Sequence, residues 1–281
     1  MYITDRPLKA AHNTPAAGRL TLAREEWPVL TPGIPKNQHE NRLLKGLDPA
    51  DFALLAQHLR QVPLLQGLVL QEQEAPVEQV YFPLSGVVSL ASVMDGGLVV
   101  ETTMVGSEGA IGAFAGLGPW NAFARAVVQI PGIAAVIPTA AFQIAVGESE
   151  RIRDLILRYK EGLLVQVHQT AACNALHSVE ARLARWLLQA VDRVGDANIP
   201  LTQESIAQML GVRRTTVTVI AGKLQSEGLI SYHRGRIVVL NRSGLGQLSC
   251  ECYKASRRRT GLAWRTANWP RPPKADSRGS S

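Results

Sequence analysis

Residues 201–224 constrain this chain more than any other stretch, because they read as two short helices set around a single glycine. Thr202 stands where an N-cap belongs, and Glu204 puts an anion in the first turn, at the positive end of the helix dipole. Ile206, Met209 and Leu210 form a stripe to be buried, and Ala207 is small where a second helix must cross closely. Gly211 follows four residues later, where the chain must leave the helix in a left-handed conformation that only glycine adopts cheaply. Val217, Ile220 and Leu224 then recur at helical spacing and predict a second helix over 213–227. A small residue, a glycine and a β-branched apolar residue in this order define a helix-turn-helix.

The second helix turns Arg213, Arg214, Thr215, Thr218 and Val219 outward, a polarity that packing inside a core does not explain. Arginine suits the bidentate acceptor pair of guanine in a major groove, and threonine hydroxyls and helix N–H groups suit phosphates. Gly228 ends this helix, and two short apolar runs then flank His233-Arg234-Gly235-Arg236. A tight turn tipped with Arg234 and Arg236 is a wing, placed to lie over a phosphate backbone. The overall balance agrees, with 30 Lys and Arg against 23 Asp and Glu. Double-stranded DNA is the partner these features imply.

The remaining chain divides by texture. Residues 1–40, broken by prolines and without periodicity, read as a flexible arm. Asp48 as N-cap and Pro49 as first helical residue open a helix carrying Phe52, Leu55 and Leu59 on one side. Short apolar runs between Gly, Pro and Asp then predict an antiparallel sandwich or barrel within 41–147, with Asp95-Gly96-Gly97 as a hairpin turn. Residues 148–177 change to a helical period, with Ile152, Ile156, Tyr159, Leu163 and Val167 on one face, and a two-stranded dimer seam covers that face economically. A rival arrangement packs the same helix on its own β-domain. Residues 178–246 hold the helix after Ser178, with Leu183, Trp186, Leu187 and Val191 inward, and the winged motif. Residues 247–281 are basic and read as a disordered extension. The fold class is therefore α+β.

The segment LTQESIAQMLGVRRTTVT, with LQSEGLI and RGRIVVL after it, resembles the Crp/Fnr family of transcription regulators. VYFPLSGVVSL, DGG and VGSEGAIGAF upstream are similar to that family's effector domain, a β-roll of cyclic-nucleotide-binding type. The resemblance covers about 41–244 and implies a homodimer joined through the long helix, RNA polymerase as a further partner, and a near-palindromic operator with half-sites about 34–36 Å apart. It places the guanine-reading arginine on Arg214, phosphate-contacting threonines on Thr202 and Thr216, and Gln203 beside the backbone. Thr215 and Val219 depart from the family's Glu and Arg, so the operator should differ.

For the effector site, the resemblance places a phosphate cassette on Gly109 and Gly112 and its arginine on Arg125. Ala110 and Ala126 stand where a ribose-binding Glu and a hydroxyl residue belong, so no cyclic nucleotide is expected to bind in the usual way. The cysteines are Cys173, Cys250 and Cys252, and none lies where the family's iron–sulfur members carry theirs. His168 and His177 read as ordinary helix residues, so no haem is expected, and Cys250-Glu-Cys252 is too short for a complete zinc site, so no metal ligand is assigned.

No catalytic residue is assigned. All six histidines (His12, His39, His58, His168, His177, His233) fall outside the β-region, and no phosphate loop or nucleophile elbow occurs. A protein-binding helix would expose apolar groups where Arg213 and Arg214 stand, and aromatics are too few, at 5%, for an RNA-stacking sheet. The N-terminus lacks the apolar core of a signal peptide, no stretch is long and uncharged enough to span a bilayer, and three cysteines suggest a reducing compartment. The expected location is cytoplasmic, without a membrane partner.

Overall fold

The computed structural model describes residues 41–118 and 121–263. The arm predicted for 1–40 and the end of the predicted tail, 264–281, lie outside the described residues. Asn41 opens the fold and is fully buried. Its Oδ1 caps helix α1 (Arg42–Lys45), while its Nδ2 donates to the carbonyls of Pro83 and Gly109 at 2.9 and 2.8 Å. Helix α2 (Pro49–Ala56) starts as expected, with the Asp48 carboxylate accepting from the Asp51 N–H.

Seven antiparallel strands follow: β1 (Arg60–Leu64), β2 (Val69–Gln71), β3 (Gln79–Pro83), β4 (Val87–Val93), β5 (Val99–Val105), β6 (Arg125–Ile130) and β7 (Gly132–Pro138). They form two sheets, ordered β1-β7-β3 and β2-β6-β4-β5. Alternate residues such as Val62, Leu64, Val80, Phe82, Val88, Leu90 and Val128 meet in one core. Strand β1 is not legible beforehand, since Arg60, Gln61 and Pro63 dilute its apolar pattern; it sits at a sheet edge, where proline costs little. Helix α3 (Thr139–Glu148) also escapes the sequence reading; it buries Phe142, Ala145 and Val146 against the same core.

Helix α4 (Glu150–Leu176) corrects one expectation. Ile152, Ile156, Tyr159 and Leu163 are buried in the chain's own β-roll core, and the Tyr159 hydroxyl donates to the Ala110 carbonyl at 2.7 Å. Val167 is half-buried. The first four are therefore not a free dimer seam. The roll leaves an apolar side open, and α4 covers it. What the helix turns outward instead is Leu157 (43% exposed) and Leu164 (53%), seven residues apart.

Helix α5 (Val179–Val194), capped by Ser178, opens a second unit made of β8 (Asn198–Pro200), α6 (Gln203–Leu210), α7 (Arg214–Ser226), β9 (Ile230–His233) and β10 (Arg236–Val239). Its small sheet is ordered β8-β10-β9. Leu183, Trp186, Leu187, Ile206, Leu210, Val217, Leu224 and Ile237 form its core, which is continuous with Val87, Met104 and Ile130 of the roll.

The basic extension predicted from residue 247 is corrected as well. Helix α8 (Arg242–Leu248) crosses that boundary, and helix α9 (Cys252–Ala263) follows it. Charge dominates the composition here, but Cys252, Tyr253 and Ser256 share one face and are buried. The Tyr253 hydroxyl donates to Asp192 Oδ2 at 2.7 Å and accepts from Arg242 Nη2 at 2.9 Å. Among the described residues no helix is long and apolar enough to cross a membrane.

Candidate DNA-binding surface

Helix α6 begins where Thr202 Oγ1 accepts from the Ser205 N–H at 3.1 Å. It ends at Gly211, whose φ of 64° and ψ of 41° carry the chain into the turn while its N–H bonds the Ala207 and Gln208 carbonyls. A side chain at Gly211 would be strained by that φ, and its Cβ would lie 3.0 Å from Val100 Cγ2. Helix α7 starts at Arg214, with Arg213 as an N-cap that makes no side-chain bond. Its positive end is thus not closed by a capping side chain.

Arg213, Arg214, Thr215, Thr218 and Val219 are all exposed, Val219 at 73%, while Thr216 and Gln203 are half-buried beside them. The Thr218 hydroxyl donates to Gln203 Oε1 at 2.9 Å and to the Arg214 carbonyl at 3.1 Å, so α7 fixes the orientation of a side chain on α6. At the wing, Arg234 (φ 46°) and Gly235 (φ 75°) make the two-residue turn, with His233 and Arg236 paired across it. Arg234 and Arg236 are exposed. A Cβ at Gly235 would lie 3.5 Å from Thr202 Cγ2, which sets the wing tip beside the start of α6. The predicted residues thus come from three elements that touch one another.

Sequence reasoning misses the groups that fix this unit to the roll. Trp186 Nε1 on α5 donates to Glu101 Oε1 on β5 at 2.8 Å, and Ser89 Oγ donates to the other carboxylate oxygen. Burial pushes the Glu101 carboxyl up to about 7, against the lowering effect of those two hydrogen bonds and of Arg185 and Arg193. Arg193 Nε donates to Glu108 Oε1 at 2.6 Å, and both side chains are largely buried. Partners 85 residues apart carry no local pattern that could reveal them.

The predicted effector residues are only partly assembled. A cavity of about 20 Å³, room for about one water, is lined by Gln71, Leu90, Ala110, Gly112, Phe114 and Phe123, among others. Gly112 (φ 78°) borders it, with Phe114 stacked on Phe123 at 5.8 Å. Gly109 packs instead against α4, where a Cβ would come within 2.7 Å of the Tyr159 hydroxyl. Arg125 lies outside the cavity lining and pairs with Glu72, Nε to Oε2 3.1 Å.

Residues 181–248 match the family model of the Crp-like helix-turn-helix domain. The global nitrogen regulator of Synechococcus elongatus is 25% identical over 181 residues, covering 61% of this chain and 82% of the relative. The CRP-like cAMP-activated global transcriptional regulator of Mycobacterium tuberculosis is 23% identical over 210 residues, covering 72% and 92%. In fold the chain is similar to FixK2 from Bradyrhizobium japonicum, with a TM-score of 0.59, 18% identity and coverage of 68% and 98%. A crp/fnr-family regulator from Eubacterium rectale gives the same TM-score at 19% identity, covering 73% and 96%. Residues 181–248 thus form a Crp-like helix-turn-helix domain, and the chain is similar over most of its length to Crp-like transcription regulators.

Proposed function

We propose that the chain acts as a homodimer on a near-palindromic operator, with α7 in the major groove and the wing over the flanking backbone. The observation that carries this reading is the convergence of ten polar or contact residues from α6, α7 and the wing, eight of them exposed and Gln203 and Thr216 half-buried. Arg214 reads a guanine through its O6 and N7 acceptors, and Val219 lies against a thymine methyl. Thr202, Gln203, Arg213, Thr215, Thr216 and Thr218 hold the backbone and neighbouring edges, while Arg234 and Arg236 neutralise phosphates. Such a regulator would act through RNA polymerase.

The dimer seam in this reading runs along the outward face of α4, through Leu157, Leu164 and Ala171 at seven-residue spacing, the repeat that a two-stranded helical seam requires. The M. tuberculosis relative is named as cAMP-activated. In this chain Ala110, Ala126 and the ion-paired Arg125 favour an effector domain that does not bind a cyclic nucleotide in the usual way.

Selection of genomic fragments with the purified protein, followed by footprinting at several salt concentrations, tests the proposal. A two-fold-symmetric footprint with affinity falling steeply as salt rises is expected. Uniform weak binding with no footprint would contradict it. Calorimetric titration with cAMP and cGMP should give no heat of binding, and a saturable site for either would overturn the effector assignment.

A further inference from the structure

Four ligand-type side chains that the DNA-binding site does not use meet at one corner. Cys173 lies in the last turn of α4 and His177 caps its end, while Cys252 opens α9 and Cys250 stands two residues before it. The three sulfurs and one imidazole nitrogen lie within 4.8 Å of one another. Cys173 Sγ is 3.4 Å from Cys250 Sγ, and Cys252 Sγ is 3.5 Å from His177 Nδ1. A tetrahedral ion with sulfur at about 2.3 Å and nitrogen at about 2.0 Å needs ligand separations of roughly 3.4–3.8 Å. The corner is therefore close to the required size before any ion arrives.

The surroundings fit the same reading. The other imidazole nitrogen, His177 Nε2, is 3.1 Å from the Glu251 carboxylate, which fixes Nδ1 toward the sulfurs. A carboxylate behind a ligating histidine is how proteins orient such a ring. Gln169 Nε2 donates to Cys252 Sγ at 3.0 Å. Arg182 and Arg185 of α5 are buried at 8% and 6% exposure, and among the described residues neither forms a salt bridge. Buried cations need nearby negative charge, and three thiolates around a divalent cation supply one net negative charge.

We propose that Cys173, His177, Cys250 and Cys252 form a tetrahedral site for a single zinc ion. Three sulfurs and one nitrogen suit a borderline-soft ion without a geometric preference of its own, and four protein ligands close the site to substrate. The three cysteines release their protons as the ion binds. The site joins the end of α4 to the start of α9: two ligands stand at the end of the long helix, and two follow the winged motif. It staples the segment after α8 back onto α4 and so fixes how the DNA-binding unit sits on that helix.

Metal analysis of the full-length protein, purified without chelator, tests this independently of DNA binding. One zinc per chain is expected, with all three cysteines protected from alkylation until a strong chelator is added. Replacement by cobalt should give the intense visible bands of a tetrahedral ion and thiolate-to-metal charge transfer. Cys250→Ser should lose the metal, and Glu251→Gln, which leaves every ligand in place, should weaken zinc binding about 10–100-fold. Zinc-free protein with freely alkylated thiols would overturn the proposal. So would a Cys173–Cys250 disulfide, the absorption of an iron–sulfur cluster, or unchanged zinc affinity in Glu251→Gln.

Discussion

The recognition surface and the cysteine–histidine corner both gather polar side chains, but they face them in opposite directions. On α7 and the wing, Arg213, Arg214, Thr215 and Arg234 point into solvent, and the packing beneath them is apolar, through Val217, Leu224 and Ile237. At the corner, Cys173, Cys250 and Cys252 point inward, beside two buried arginines. A side chain that serves an outside partner contributes little to the fold, whereas one that completes an internal site carries stability with it. Substitutions should therefore sort the two regions: loss of DNA affinity without loss of stability at one, and loss of stability at the other.

The largest effect is expected at the corner. Cys250→Ser should destabilise the zinc-loaded protein by roughly 3 kcal/mol or more, which calorimetry would read as a fall in Tm of about 10 °C. Wild-type protein treated with a chelator should fall by a similar amount; equal Tm with and without metal would erase the contrast.

Glu101 gives a pH-dependent effect of about the same size, because its carboxyl is raised from 4.5 to about 7 by burial. The folded state then binds the proton more tightly than the unfolded chain. Its contribution is fully present below about pH 4.5 and is lost as pH rises through about 7, a change of roughly 3 kcal/mol. Glu101→Gln should remove that slope and be the more stable protein at pH 8, as denaturant titration at pH 5 and pH 8 would show. A parallel pH dependence in the two proteins would contradict the assignment.

On the outward side, Arg214→Ala should cost about 1–3 kcal/mol in operator binding and relax preference at one base pair, with Tm unchanged. The smallest effect belongs to the wing. Arg234→Ala should weaken all sequences alike and lower the salt slope by about one. A change of base preference in that variant would mean that the wing reads sequence.

The recognition surface is legible in the sequence because it is local. Thr202, Ala207, Gly211 and Val217 lie on consecutive turns, and each has a backbone or packing reason for its position. The same holds for Asp48 and Pro49, and for the Asp95-Gly96-Gly97 hairpin. The corner is not legible in this way. Cys250-Glu-Cys252 alone reads as half a site, and its other half lies 77 residues upstream of Cys250. A signal does exist, since Cys173 and His177 stand four apart at the end of a helix, but nothing local joins it to the second pair. The face of α4 fails for a related reason: periodicity identifies an apolar stripe but not which neighbour covers it. Ile152, Ile156, Tyr159 and Leu163 are claimed by the chain's own roll, which leaves Leu157 and Leu164 outward for the proposed seam.

The central claim is that Arg214 on α7 reads sequence while the protein binds as a symmetric pair. Footprinting a selected operator with wild-type and Arg214→Ala protein, against copies carrying each base change in one half-site, tests it most directly. The expected result is a two-fold-symmetric wild-type footprint, with one guanine in each half-site at which the variant no longer discriminates. An asymmetric footprint, or a variant whose base preferences match the wild type at every position, would contradict it.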